Sequence, residues 1–173
     1  MSDTNEYTIV DTGDSYFFSS EEGKTLQSSM TLALSHDTRN SSFIPSSGTK
    51  ARLAYTVYGG PFGGDDDLYE VSFKGRQYFN PWWNHVISLR GRYEVIEAYG
   101  DTDDVGLRDR LFLGGARNLR GFDYRDVGPK VVPGEDADTT TSYRPLGGQS
   151  LAFASLEYTF PLTKHIRFAT FYD

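Results

Sequence analysis

Cysteine is absent from the 173-residue chain, which removes a disulfide framework, a thiolate metal site and thiol catalysis together. Cations are in the minority, 17 Lys and Arg against 24 Asp and Glu for a formal charge of −7, and this argues against a nucleic-acid partner, whose phosphates need clustered basic residues. No apolar run nears the roughly 18 residues of a membrane helix. The start, Met1 to Tyr7, lacks the basic residue and apolar stretch of a signal peptide. There is no Gly-x-Ser-x-Gly elbow, and His36, His85 and His165 stand near predicted strand ends without a paired nucleophile. No catalytic residue is expected. The acidic runs Asp65 to Asp67 and Asp101 to Asp104 match no EF-hand spacing and read as solvated loops, so neither a metal nor another cofactor is expected.

Rings and alternation are what the chain does have. Hydrophobic residues make up 38% of it, yet aromatics reach 15%, with 12 Tyr and 12 Phe, more than an ordinary soluble domain carries. Leu26, Met30, Leu32 and Leu34 share one parity, and Gln27, Ser29, Thr31, Ala33 and Ser35 hold the other. That is the period of a strand. Ala51, Leu53, Tyr55 and Val57 then alternate with Lys50, Arg52, Ala54 and Thr56, and Tyr69, Val71 and Phe73 with Glu70, Ser72, Lys74 and onward to Arg76. Ile87, Leu89, Tyr93 and Val95 alternate with Ser88, Arg90, Arg92 and Glu94. Near the end, Ala152, Ala154, Leu156, Tyr158 and Phe160 oppose Ser155, Glu157 and Thr159, while Ile166, Phe168, Thr170 and Tyr172 oppose Arg167 and Asp173. About six strands result, with no comparable helical stretch.

The connections are of two kinds. Short turns with Pro and aromatics lie at Phe43 to Gly48, Pro81 to Asn84 and Pro161 to His165, whereas Gly59 to Asp67 is rich in glycine and acid. The stretch from Gly100 to Gly148 has no sustained period, contains Pro129, Pro133 and Pro145, and reads as one large loop. Outer-membrane barrels have tight turns on one rim and long loops on the other, with an aromatic girdle where Phe43, Phe79, Trp82 and Trp83 fall here. A soluble antiparallel barrel or sandwich acting as a binding domain also alternates, so periodicity leaves both readings open. Against the soluble one, a core holding Tyr55, Tyr69, Tyr93 and Tyr158 needs a buried partner for every hydroxyl.

Four ordered landmarks carry a family resemblance. The loop "LFLGGARNLRGFDYRDVGPK", Leu111 to Lys130, resembles the signature loop of the BamA superfamily of outer-membrane insertases and transporters, with a Gly-Gly pair, an Arg-Gly-Phe tip and a following Gly-Pro. "FIPSSG" resembles the family's periplasmic turn, "SLEYTFPL" a strand end, and "FATFYD" a Phe-x-Asp strand. The resemblance implies an all-β fold, an antiparallel transmembrane β-barrel segment of about six strands from a 16-stranded barrel, spanning 1–173 as a partial barrel domain with a lumen-entering loop at about 100–148. The chain is then expected to be incomplete, since six strands cannot close a lumen.

The resemblance further implies a bacterial outer-membrane, non-enzymatic protein that inserts other β-barrels. Its partners would be outer-membrane lipid, unfolded outer-membrane proteins, the rest of the parent barrel and assembly-complex lipoproteins. A two-partner secretion or translocation-and-assembly transporter of the same superfamily is the alternative. The family's loop arginine pairs with acidic residues on neighbouring strands, which assigns a loop lock to Arg120, with Glu157 and Asp173 as acceptors. Gly121 lets the tip turn, Phe122 packs on the inner wall, and Gly114 and Gly115 are the loop glycines. Arg117 receives no role. Parity agrees, because Glu157 and Asp173 oppose Tyr158 and Tyr172 and so share the charged face.

Overall fold

The computed structural model describes residues 26–131, 143–163 and 166–173. Pro133, and Lys164 and His165 of the last short turn, lie outside the described residues. Six strands form one sheet: β1 (Ser29–Asp37), β2 (Gly48–Tyr58), β3 (Leu68–Phe79), β4 (Val86–Ala98), β7 (Ser150–Pro161) and β8 (Arg167–Tyr172). They lie side by side in that order, every pair antiparallel. Strands β2, β3, β4 and β7 have 11, 12, 13 and 12 residues, enough to cross a hydrocarbon core when tilted.

The long connection is more structured than its aperiodic sequence suggests. Within it β5 (Lys130–Val131) pairs with β6 (Arg144–Pro145), and isolated bridges join Leu111 to Gly148 and Leu113 to Val127. Two-residue strands are too short to show a period. The first strand starts three residues later than its parity pattern, since Leu26 is drawn to the neighbouring loop: its N–H donates to Asp65 Oδ2 at 2.7 Å and its carbonyl accepts from Asp65 N–H at 2.9 Å.

Register sorts the side chains into two faces. Leu34, Leu53, Phe73, Tyr93 and Ala152 form one continuous row across five strands, and Leu89, Leu156 and Tyr172 another on the same face. This face is apolar and open: Leu53, Tyr55, Phe73, Leu89, Tyr93, Leu156 and Phe168 are all exposed. A soluble core would have covered them. Along β4 the apolar stretch from Ile87 to Val95 is roughly 26 Å of strand at ~3.3 Å per residue, which a tilt of ~40° reduces to roughly 20 Å of height, close to a bilayer's apolar band. Polar pairs mark its ends, Thr49 with Gln77 towards the short turns and Tyr69 with Glu97 towards the long loops. At the short-turn rim the rings of Trp82, His85, Tyr158, Phe160 and Phe168 pack in sequence, and His85 Nδ1 lies 2.5 Å from the Tyr158 hydroxyl.

The opposite face carries Lys50, Arg52, Lys74, Arg76, Arg90, Arg92, Glu94 and Glu157, together with the long loop. The core is small and sits at the long-loop rim, where Val105 and Leu111 of the loop cover Leu68 and Ile96 beside Tyr58 and Ala98. With one face given to lipid, the loop supplies the only apolar cover that these inner residues receive among the described residues.

A charge should separate the two faces. Leu89→Arg, at the middle of the outer band, should destabilise the protein folded in lipid vesicles by about 2–4 kcal/mol, while Ser88→Arg on the adjacent inner position should cost well under half as much. Urea unfolding followed by tryptophan fluorescence measures both. Equal costs would contradict the assignment of faces.

Candidate functional site

The site is the loop tip against the inner faces of β4, β7 and β8. The loop returns on itself as a narrow hairpin: the Val127 N–H donates to the Leu113 carbonyl at 3.1 Å, and the Gly115 N–H to the Phe122 carbonyl at 3.1 Å, closing residues 116–121 into a tip. Gly114 is required here, because it has φ +118° and a Cβ would stand 2.4 Å from the Asp123 carbonyl oxygen. Gly121 also has positive φ, +88°, though open space surrounds its Cβ position.

Arg120 lies at the end of that tip and reaches both last strands. Its Nε donates to Asp173 Oδ2 at 2.8 Å and its Nη2 to Asp173 Oδ1 at 2.7 Å, a two-pronged contact. Nη1 donates to Glu157 Oε2 at 2.6 Å and Nη2 also to Ser155 Oγ at 3.1 Å. The Arg120 backbone N–H adds a bond to Asp173 Oδ2 at 2.9 Å. Below the guanidinium lies the Phe171 ring, 3.4 Å from centroid to Cζ. The Asp173 side chain is only 4% exposed, and the Ser155 hydroxyl donates to it at 2.6 Å. Hydrogen bonds to Asp173 and then Glu157 outweigh burial and hold the Arg120 charge well above the ordinary arginine range.

A second attachment comes from the wall itself. Arg90 Nη1 donates to the Arg117 carbonyl at 3.1 Å, Arg90 Nη2 to the Asn118 carbonyl at 2.8 Å, and Arg92 Nη1 to Asn118 Oδ1 at 3.3 Å. Phe153 of β7 backs Arg90, 4.7 Å from Cζ to ring centroid. Glu94, 2% exposed, forms an ion pair with Lys74 at 2.7 Å and accepts a hydrogen bond from Arg92, so this buried carboxylate fixes the second wall arginine.

Arg120, Glu157 and Asp173 are therefore brought together, and Gly121 turns the chain beside them. Phe122 differs from its expected packing on the inner wall: it is 52% exposed, and Phe171 is the ring in contact with the arginine. Ser155, Phe171, Arg90, Arg92 and Asn118 were not singled out from sequence. Phe153 and Phe171 each stand on the charged parity of an alternating strand, and an aromatic there was the available signal for a stacked cation. No group of three or more His, Asp or Glu among the described residues is placed to hold a metal ion.

The family model described as the Omp85 superfamily domain matches residues 2–173. The chain belongs to the Omp85 superfamily. It is similar to the outer membrane protein assembly factor BamA of Nitratidesulfovibrio vulgaris, 29% identical over 156 residues, 90% of this chain and 19% of that protein. A SAM50-like protein of Schizosaccharomyces pombe is 31% identical over 147 residues, 83% of this chain and 29% of that protein. The crystal structure of BamA from Haemophilus ducreyi lacking POTRA domains 1–3 superposes with a TM-score of 0.71 at 24% identity, over 83% of this chain and 28% of that one. This Omp85 chain thus spans about a fifth to a third of the length of these relatives. The fold is that of an antiparallel outer-membrane β-barrel wall, which makes the loop-bearing face the lumen side.

Gly114 and Gly121 of this Omp85 segment should differ in tolerance. Gly114→Ala meets both a forbidden contact and an unfavourable φ and should cost about 2–3 kcal/mol, whereas Gly121→Ala meets only the φ penalty of about 1 kcal/mol. Limited proteolysis of the folded protein should cut residues 114–127 much faster in the first variant than in the second. The reverse order would contradict the hairpin geometry.

Proposed function

We propose that this chain forms part of the barrel of a bacterial outer-membrane assembly factor, a non-enzymatic protein that inserts other β-barrels, and that Arg120, Gly121, Phe122, Glu157 and Asp173 form its loop lock. The observation that carries the lock is the position of Arg120, which engages Glu157 of β7 and Asp173, next after β8, through three of its five side-chain N–H groups and the Ser155 hydroxyl through a fourth. Its loop is thereby held inside the lumen. The activity rests on kinship. The relatives include proteins named as outer-membrane assembly factors and sorting and assembly components from bacteria and eukaryotes. The bacterial outer-membrane location is part of the proposal and rests on the likeness to the assembly factor BamA.

Lipid as a partner follows from the exposed apolar face, and the other partners rest on kinship. Lipid covers the outer apolar band, unfolded outer-membrane proteins are the substrates, and the remainder of the barrel with assembly-complex lipoproteins completes the machine. A lock of this kind ties the loop to the strands that must stay paired while another part of the barrel opens. Glycine at position 121 gives the tip its turn, and Phe122, left exposed next to the lock, offers a ring to the lumen.

Arg120→Ala tests the lock in the full-length protein. Asp173, almost fully buried, would lose its cation, and breaking such a pair costs about 3–5 kcal/mol. The expected outcomes are unfolding at a lower temperature, a protease-sensitive loop and slower insertion of a barrel substrate into vesicles. Arg120→Lys should restore part of the stability, because a point charge cannot hold both carboxylates with the geometry of the fork. If Arg120→Ala leaves thermal unfolding and insertion rate unchanged, Arg120 is a passive loop residue and the lock is wrong.

A further inference from the structure

Beside the lock, the lumen face carries a block of cations with too few anions. Lys50, Arg76 and Arg90 occupy one hydrogen-bonded row across β2, β3 and β4, and Arg52, Lys74 and Arg92 occupy the next row. Like charges directly opposite one another weaken strand pairing, and here four successive pairs are alike. Arg39 from the β1–β2 turn and Arg117 from the loop tip complete eight cations around a cavity of about 470 Å³. Two carboxylates reach them. Asp37 holds Arg39 at 2.8 Å and lies 4.0 Å from Lys50, and Glu94 takes Lys74 and Arg92. Arg90 is spent on neutral loop carbonyls. Arg52, Arg76 and Arg117 make no ion pair with any carboxylate among the described residues. In a chain with an acidic total, this concentration of positive charge is local and specific.

We propose that this block is a docking surface for an acidic polypeptide segment lying extended in the lumen. Its spacing fits such an occupant. The cations repeat every second residue along each strand, at ~6.6 Å, and an extended peptide presents same-side carboxylates at the same pitch. The three strands give parallel tracks ~4.8 Å apart, so acidic residues spaced along an extended segment come level with Arg52 and Arg76, which no carboxylate of the wall pairs, and with the exposed Lys50. The block faces the lumen, away from the lipid band, which excludes a bilayer headgroup in place. Its roof is the loop tip, where Arg117 and Asn118 line the same cavity as the wall cations. A peptide seated there would touch the tip that Arg90 holds by its backbone and Arg92 by the Asn118 side chain. The inference needs only the barrel wall and the loop, and stands or falls apart from the insertion activity.

The test uses the full-length protein folded in detergent or vesicles, with a fluorescein-labelled synthetic peptide of alternating glutamate and threonine read by anisotropy. Saturable binding that weakens as salt rises is expected, with none for the matching lysine–threonine peptide. Arg52→Gln combined with Arg76→Gln removes two unpaired charges that take no part in holding the loop, and should weaken binding roughly tenfold or more. Arg108→Gln, which alters a cation on the other rim, should leave it unchanged. Heat-dependent gel migration reports whether the double variant is folded. If it is not, the exposed Lys50→Gln change should show the same loss on a smaller scale. Undiminished binding by folded variants would overturn the proposal, as would no saturable binding to the wild type, the result expected if the remaining barrel wall covers the block. Displacement of the peptide by an equal concentration of inorganic phosphate would reassign the block to small anions.

Discussion

A strand that crosses lipid must satisfy every backbone N–H and carbonyl within the sheet, and most other features of this chain are consequences of that requirement. It forces long strands of 11 to 13 residues in continuous antiparallel register. It also fixes the side-chain period at two, so one face belongs to lipid and the other to the lumen. The lipid face needs only apolar bulk and rings. The lumen face is left free for charge, and the chain places there the arginines that hold the loop, the carboxylates that receive Arg120 and the cationic block.

The small core follows from the same division. A soluble domain would bury Leu53, Phe73 and Tyr93; here they are exposed, and the fully buried apolar cluster shrinks to Leu68, Ile96 and Val105 at one rim. Polar contacts take over part of the work of packing. The loop is fixed at its base by Val105 and Leu111, and at its tip twice, by Arg90 and Arg92 of the wall at residues 117 and 118 and by Arg120 itself. Each attachment uses a different chemistry, so apolar contact, hydrogen bonds to carbonyls and ion pairing fail under different conditions.

Alternation made the six strands legible, since β2, β3, β4 and β7 each show an unbroken parity over most of their length. Parity also put Glu157 and Asp173 on the charged face, and likeness to a known loop singled out Arg120. The rest was hidden for physical reasons. Arg90 and Arg92 bind backbone carbonyls of residues 117 and 118 and the Asn118 side chain, about 26 to 28 positions away, and a carbonyl acceptor has no side-chain signature. The β5–β6 ladder has two residues per strand, below any detectable period. Phe122 was expected to pack on the inner wall, but its ring is half exposed, and the ring that the register brings beneath the guanidinium is Phe171.

Arg120 touches Ser155 and Glu157 on β7, Phe171 on β8 and Asp173 just beyond it. These four groups are level only in the observed pairing, in which Glu157 faces Phe171 and Leu156 faces Tyr172. Sliding β8 by one residue would turn Asp173 to the lipid side, and sliding it by two would carry the carboxylate about 6.6 Å along the wall, beyond the fork. The hairpin therefore works as a caliper closed across two strands. It can engage only after they have paired correctly, which lets a loop that contributes nothing to the ladder act as a check on how the ladder was assembled.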